Sequence, residues 1–222
     1  AVSFPKRKRR ILIGSDVSSR YTRRNRAEYR KIAGYIARCV WQRQGNYMVF
    51  FPSYRLMEDV LQVYEEEFSV DWVRCVCQTP DMTEQEREGF LEEFQEREGT
   101  LVGFCVLGGI FSEGVDLTGE SLIGAVIVGT GLPQIGSQRE ILKEYYDKKN
   151  HCGFDYAYRY PGMNKVLQAA GRVIRTKEDK GVILLLDDRF WDRDYQEIFP
   201  REWQDRTGCR LDTVEGAVET FW

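Results

Sequence analysis

The segment QAAGRVIR, residues 168–175, sets a glutamine, a glycine and two arginines at helical spacing. At about 100° per residue, Gln168, Gly171, Arg172 and Arg175 share one stripe, while Met163, Val166, Leu167, Ala170, Val173 and Ile174 share the opposite one. One face is suited to burial and the other to presentation. A guanidinium is planar and permanently charged and matches phosphate oxygens, and a glycine beside it lets a backbone or ligand come close. Phosphate recognition is the chemistry this stripe could do. Two helical arginines are equally what a solvated surface carries, so the rest of the chain has to decide.

Three other segments carry hydroxyls, glycines or an aromatic ring where apolar runs stop: FFPSY at 50–54, GGIFSEGVD at 108–116 and GTGLPQ at 129–134. Freed backbone amides, hydroxyls and an aromatic face are what the phosphates and bases of a single strand can use. FFPSY alone also reads as an ordinary strand end. Glu113 and Asp116 suggest a carboxylate pair, but no histidine or third carboxylate stands nearby in sequence to complete a metal or acid/base site. The chain has no G-x-x-x-x-G-K-[ST] phosphate loop and no D-E-x-x box after an apolar strand. In GTGLPQIG, Gln134 occupies the place of the third glycine of a dinucleotide fingerprint. An arginine stripe without its own phosphate loop reads as a finger inserted into a site held elsewhere.

The elements that must position these residues follow from the apolar pattern. Short apolar runs at 11–15, 46–51, 72–78, 101–107, 123–129 and 181–187 predict strands, and helical spacing predicts helices over 26–43, 54–67, 83–97, 137–149 and 162–175. Near-continuous apolar strands alternating with helices argue an α/β fold, a mostly parallel sheet with helices on both faces. Ligands of such sheets bind beyond the carboxyl ends of the strands, where the three loops emerge. The whole of 1–222 reads as one domain, with a basic lead-in over 1–30 and a tail over 189–222 that is expected to pack as short helices on the sheet edge.

With 222 residues and 42% hydrophobic content the chain can fill a substantial core. Its net charge is −3, yet residues 1–31 hold 11 Lys/Arg against Asp16 and Glu28, a basic patch of net +9. PKRKRR at 5–10 resembles a nuclear import tag, and a solvated charge run or phosphate-backbone contact are the other readings. No run reaches the roughly 20 apolar residues of a membrane span, and the amino terminus lacks a secretory core, so a cytosolic protein is expected. The six cysteines are scattered, Cys75 and Cys77 form a lone C-x-C, and His151 is the only histidine, so no metal site is expected. The first residue is not methionine, as expected of a piece of a longer protein.

FFPSY, GGIFSEGVDL (108–117) and QAAGRVIR, in that order and at those separations, closely resemble motifs IV, V and VI of superfamily 2 helicases. The SEGVD form and the continuation KEDKGVILLLDDRF (177–190) are similar to the XPD/DinG-like branch. The resemblance runs from about residue 11 to 205 and implies a RecA-like, P-loop-NTPase-type three-layer sandwich, the second of two such domains in a DNA helicase. It implies ATP and Mg²⁺ in the complete protein, held mainly by a first RecA-like domain absent from this chain, and single-stranded or forked DNA as partner. It implies that Arg172 and Arg175 reach the γ-phosphate, that Gln168 positions phosphate or water, and that Gly171 permits the approach. Glu113, Gly114 and Asp116 would couple the nucleotide cleft to the strand path, and Phe51, Ser53, Tyr54, Gln78, Thr79 and Ser112 would line the DNA groove. Translocation 5′ to 3′ in a bacterial cytosol is the corresponding expectation, and a stand-alone nucleic-acid-binding module is the alternative.

Overall fold

The computed structural model describes residues 8–95, 99–111, 122–173 and 179–222. Its frame is a seven-stranded sheet of β1 (Arg9–Gly14), β2 (Asn46–Phe51), β3 (Val73–Cys77), β4 (Thr100–Val106), β5 (Gly124–Val128), β6 (Gly181–Leu186) and β7 (Thr207–Cys209). The order across the sheet is β3-β4-β2-β5-β6-β1-β7, and every neighbouring pair is parallel. β1 lies between β6 and β7, so residues 9–14 of the basic lead-in are a strand inside the sheet.

Residues alternate between two apolar layers, as the period of 2 in a strand requires. Leu12, Val49, Phe51, Val126, Leu184 and Leu186 point to one face. They meet α1 (Arg26–Val40), α2 (Tyr54–Glu67) and α7 (Val214–Glu219) through Ile32, Ile36, Leu56, Val60, Val214 and Val218. Ile11, Ile13, Met48, Phe50, Ile127, Ile183 and Leu185 point to the other face. There they meet α3 (Glu84–Glu93) and α5 (Tyr160–Ala170) through Phe90, Met163, Val166 and Ala169. Helices start where the sequence supplies caps: Asn25 accepts the Glu28 amide, Ser53 accepts the Leu56 amide, and Thr83 with Glu86 forms a reciprocal capping box.

The tail departs from its expected place. Phe190, Tyr195 of α6 (Arg193–Gln196), Phe199 and Trp203 pack on the α3/α5 face, Val214 and Val218 of α7 pack on the opposite face, and between them β7 pairs with β1 as an edge strand. The helix expected over 162–175 begins at Tyr160 and ends at Ala170, followed by a tighter turn in which Arg172 and Val173 donate to Ala169 and Ala170.

α4 (Ser137–Asn150) buries none of its residues. It folds back through His151, in the left-handed region at φ 59°, onto a π-helical turn at Asp155–Arg159 that leads into α5. Arg139 donates to the Ala157 carbonyl at 2.7 Å, the Gly153 amide donates to Asp147 at 2.9 Å, and Tyr146 stacks on Tyr156 with centroids 4.0 Å apart. The result is a helical hairpin leaving the carboxyl end of β5, with Ile141, Tyr145 and Phe154 exposed.

Candidate functional site

The carboxyl ends of the strands gather most of the candidate residues. Ser53 is half-buried and spends its hydroxyl on capping α2. Gln78 is buried, and its side-chain amide donates to the Tyr54 hydroxyl at 2.9 Å while its carbonyl oxygen accepts the Val106 amide at 3.0 Å. Tyr54 in turn donates to the Thr79 carbonyl at 3.4 Å, and burial raises its phenol above the ordinary value. Tyr54, Gln78 and Thr79 therefore form one connected unit across the ends of β2, β3 and β4. Within it Thr79 is exposed and Tyr54 half-buried, so these two face solvent.

Two of the expected strand-contacting residues are corrected by burial. Phe51 is fully buried and stacks on Phe104 with centroids 6.0 Å apart, so its ring belongs to the core and offers no face to a base. Gln78, at 3% exposed, positions Tyr54 and the β4 backbone rather than reaching a ligand itself. Period-2 alternation explains Phe51, because a residue at the end of the central strand β2 still points into a packed layer. Gln78 instead lies just past the edge strand β3 and is held against β4, its backbone amide donating to the Phe104 carbonyl (2.8 Å) and its side chain accepting the Val106 amide.

The loop after β4 turns at Gly108, whose φ is +76°. A Cβ there would lie 3.0 Å from the aliphatic stem of Lys165 on α5, so this loop and that helix are in contact. Ser112, Glu113, Gly114 and Asp116 lie outside the described residues, as does Arg175.

On α5 the expected two-sided helix is present. Met163, Val166, Ala169, Ala170 and Val173 are buried, Gln168 and Gly171 are exposed, and Arg172 is half-buried. Among the described residues, a Cβ on Gly171 would meet only carbonyl oxygens of its own turn, the nearest at 3.2 Å, so they leave its outward side open to another molecule. Gly162, at the start of the same helix, is so close to the loop after β5 that a Cβ would sit 2.7 Å from the Thr130 carbonyl. That contact fixes the height of the helix against the sheet. A mostly apolar cavity of about 260 Å³ opens beside Gly171, walled by Leu167, Ile183, Pro200 and Trp203.

A cluster that the spacing does not announce sits where β6 ends. Asp187 is fully buried. Its carboxylate accepts from the Ser19 amide (2.9 Å) and hydroxyl (2.6 Å) and from the Arg189 amide (3.0 Å), Nε (2.7 Å) and Nη2 (2.9 Å). Burial alone would raise this carboxyl, but the hydrogen bonds and charge of Arg189 and the donors of Ser19 outweigh it and hold it below the ordinary range. Next to it Arg20 pairs with Asp188 at 2.9 Å and Arg24 donates to the Ser19 carbonyl at 3.2 Å. The only sequence signal was a doubled aspartate after a buried apolar run, DDRF at 187–190.

Among the described residues no group of three or more His, Cys, Asp or Glu could hold a metal ion, and no helix is long and apolar enough to cross a membrane. Cys75 and Cys77 are half-buried on β3, with burial pushing both thiols up to about 11.

A family model described as "Helicase C-terminal domain" matches residues 36–206. The ATP-dependent DNA helicase XPD of Sulfolobus acidocaldarius is 30% identical over 189 residues, 80% of this chain and 31% of that protein. A probable ATP-dependent helicase of Methanocaldococcus jannaschii is 28% identical over 85% of this chain and 30% of its own length. The chain thus spans about a third of the length of these curated relatives. Among solved structures, an apo XPD superposes with a TM-score of 0.73 at 23% identity over 91% of this chain and 40% of that one. The C-terminal domain of the DEAD-box protein Dbp5 superposes at 0.55 and 13% identity, covering 96% of this chain and 97% of that one. These likenesses give the fold as RecA-like.

Proposed function

Because this chain belongs to the helicase C-terminal domain family, with XPD helicases among its relatives, we propose that it is the second motor domain of an ATP-dependent DNA helicase. The observation that carries this reading is the two-sided α5, anchored by Met163, Val166 and Ala169 and presenting Gln168, the open Gly171 and Arg172 at its end.

The donor set fits the outer phosphate of a nucleotide bound to another domain. It comprises guanidinium and amide groups beside a glycine, in a chain with no phosphate loop of its own. When bound, ATP supplies the free energy of phosphoryl transfer, with Mg²⁺ held mainly by the first motor domain. This chain's part is to place Arg172 and Arg175 against spreading negative charge and to hold water or phosphate with Gln168. An inserted arginine of this kind is worth on the order of 10³–10⁵ in rate in GTPases. Lys165 against Gly108 gives this helix a direct contact with the loop that leads to Glu113, Gly114 and Asp116. Ser53, Tyr54, Thr79 and Ser112 would then feel the nucleotide state while facing single-stranded DNA. Movement along the strand runs 5′ to 3′ in this reading, in a cytosolic protein, and the isolated chain does not hydrolyse ATP.

The experiment joins this chain to its upstream motor domain and substitutes Arg172→Ala and, separately, Arg175→Ala. Loss of DNA-stimulated ATP hydrolysis by about 10³ or more in at least one variant, with ATP binding retained, is the expected result. Hydrolysis unchanged in both overturns the finger role. Tight, steeply salt-dependent single-strand binding by the lone chain, with no effect on hydrolysis when joined, favours the stand-alone binding module.

A further inference from the structure

The basic segment after β1 has no part in the assignment above, yet it builds a pocket at the same edge of the sheet. Residues from the ends of four strands line a cavity of about 150 Å³: Arg20, Tyr21 and Arg24 after β1, Pro52 after β2, Thr130 after β5 and Arg189 after β6. Three guanidinium groups converge there, and they are not equivalent. Arg189 is neutralised by the buried Asp187, and Arg20 is paired with Asp188. Arg24 is anchored instead on a neutral carbonyl, that of Ser19, and among the described residues no carboxylate forms an ion pair with it. Its guanidinium lies 5.5 Å from the centroid of the Tyr21 ring, and Tyr21 is 78% exposed.

We propose that this pocket receives one backbone phosphate of a single-stranded nucleic acid, with Arg24 and Arg20 as donors and an adjacent base stacked on Tyr21. The proposal rests on the reading of the chain as a motor domain that grips a strand, and adds a site to it. A cavity of this size falls below the roughly 300 Å³ at which small-molecule pockets begin, so it suits one group of a larger ligand rather than a whole nucleotide. Its wall at Pro52 is one residue from Ser53 and two from Tyr54, so a strand lying across those residues continues into it. An exposed ring flanked by a guanidinium is the sequence-tolerant pairing that single-strand grooves use. The carbonyl anchor on Arg24 Nε leaves the two terminal nitrogens of the fork for phosphate oxygens.

The test titrates a fluorescein-labelled oligothymidylate against this chain, Arg24→Gln and Tyr21→Ala at several low salt concentrations, with circular dichroism confirming the fold of each. Both residues lie on the surface of one loop. Arg24→Gln is expected to weaken binding about tenfold and to lower the slope of log K against log salt by about one. Tyr21→Ala is expected to weaken binding about tenfold with the slope kept. Equal affinity and slope in both variants overturns the pocket, as does the absence of strand binding by the unsubstituted chain at the lowest salt. Displacement of the strand by ATP or inorganic phosphate in an Arg24-dependent way assigns the pocket to free phosphates and also overturns it. None of these results touches the hydrolysis measured with Arg172 and Arg175, which reads the motor role separately.

Discussion

The amide and the hydroxyl of Ser19 both donate to the same carboxylate oxygen of Asp187, at 2.9 and 2.6 Å, across 168 residues of sequence. This pair ties the loop after β1 to the end of β6 and so fixes Arg20 and Arg189 relative to one another.

Asp187→Ala should therefore be among the most damaging single changes in the domain. It leaves the Ser19 donors and the Arg189 guanidinium without the buried charge they surround. A loss of about 3–5 kcal/mol is expected, read as a lower midpoint in urea unfolding.

The same carboxylate sets a pH dependence. Its pKa in the folded chain is lowered, so the stability it contributes is fully present above the ordinary carboxylate value of about 3.9 and is lost as pH falls through the lower folded value. Urea midpoints measured from pH 6 downward should decline below about pH 4. Asp187→Asn should be less stable at neutral pH and show a flatter acid limb, and an acid limb identical to that of the unsubstituted chain would remove Asp187 as its source.

Gly131 should not tolerate a side chain. Its φ is +69°, and a Cβ there would lie 2.6 Å from the Gly162 carbonyl. Gly131→Ala is expected to cost about 2 kcal/mol or more, since the left-handed backbone alone costs about 1–2 and the backbone contact must also give. Because Gly162 opens α5, the joined two-domain protein should lose ATP hydrolysis even at temperatures where Gly131→Ala remains folded. A stable variant with normal turnover would show that the seating of α5 does not matter.

The cysteines should divide by burial. Burial pushes the Cys39 thiol up to about 12 and the Cys105 thiol well above its ordinary value, and both are fully enclosed. Iodoacetamide at pH 8 should leave both unlabelled in the native chain while it modifies the half-buried Cys152, with labelling sites read by mass spectrometry. Rapid native labelling of Cys39 would contradict the packing of α1 on the sheet.

Much of the architecture was legible because the signals were local and strong. The apolar runs at 46–51 and 181–187 read as buried strands from their length and apolar content and form β2 and β6, and α2 came out with its expected bounds because Ser53 caps it and its apolar spacing is regular. Three features escaped for physical reasons. β7 is three residues, Thr-Gly-Cys, with no apolar run, and owes its strand form to β1 beside it. Phe51 read as a strand-end aromatic free to stack, but alternation directs it into the layer that holds Phe104. The partnership of Ser19 with Asp187 depends on which strand ends meet, and a crossover order that places β1 next to β6 leaves no periodic trace in the chain. On α5 the two faces were readable from the spacing, whereas its end at Ala170 was not, because Gly171 closes the helix in a right-handed conformation without a proline or a left-handed cap.

The position of β1 between β6 and β7 also has a bearing on biosynthesis. Arg9–Gly14 is made well before its two neighbours, which end at Leu186 and Cys209. At about 5–20 residues per second the ribosome needs roughly 10–40 s to deliver them. During that interval Ile11, Leu12 and Ile13 are an apolar strip with no edge to join. A holding chaperone is the natural occupant of that strip, and slowed elongation over the stretch between β1 and β7 should raise the share of chains that aggregate before the sheet closes.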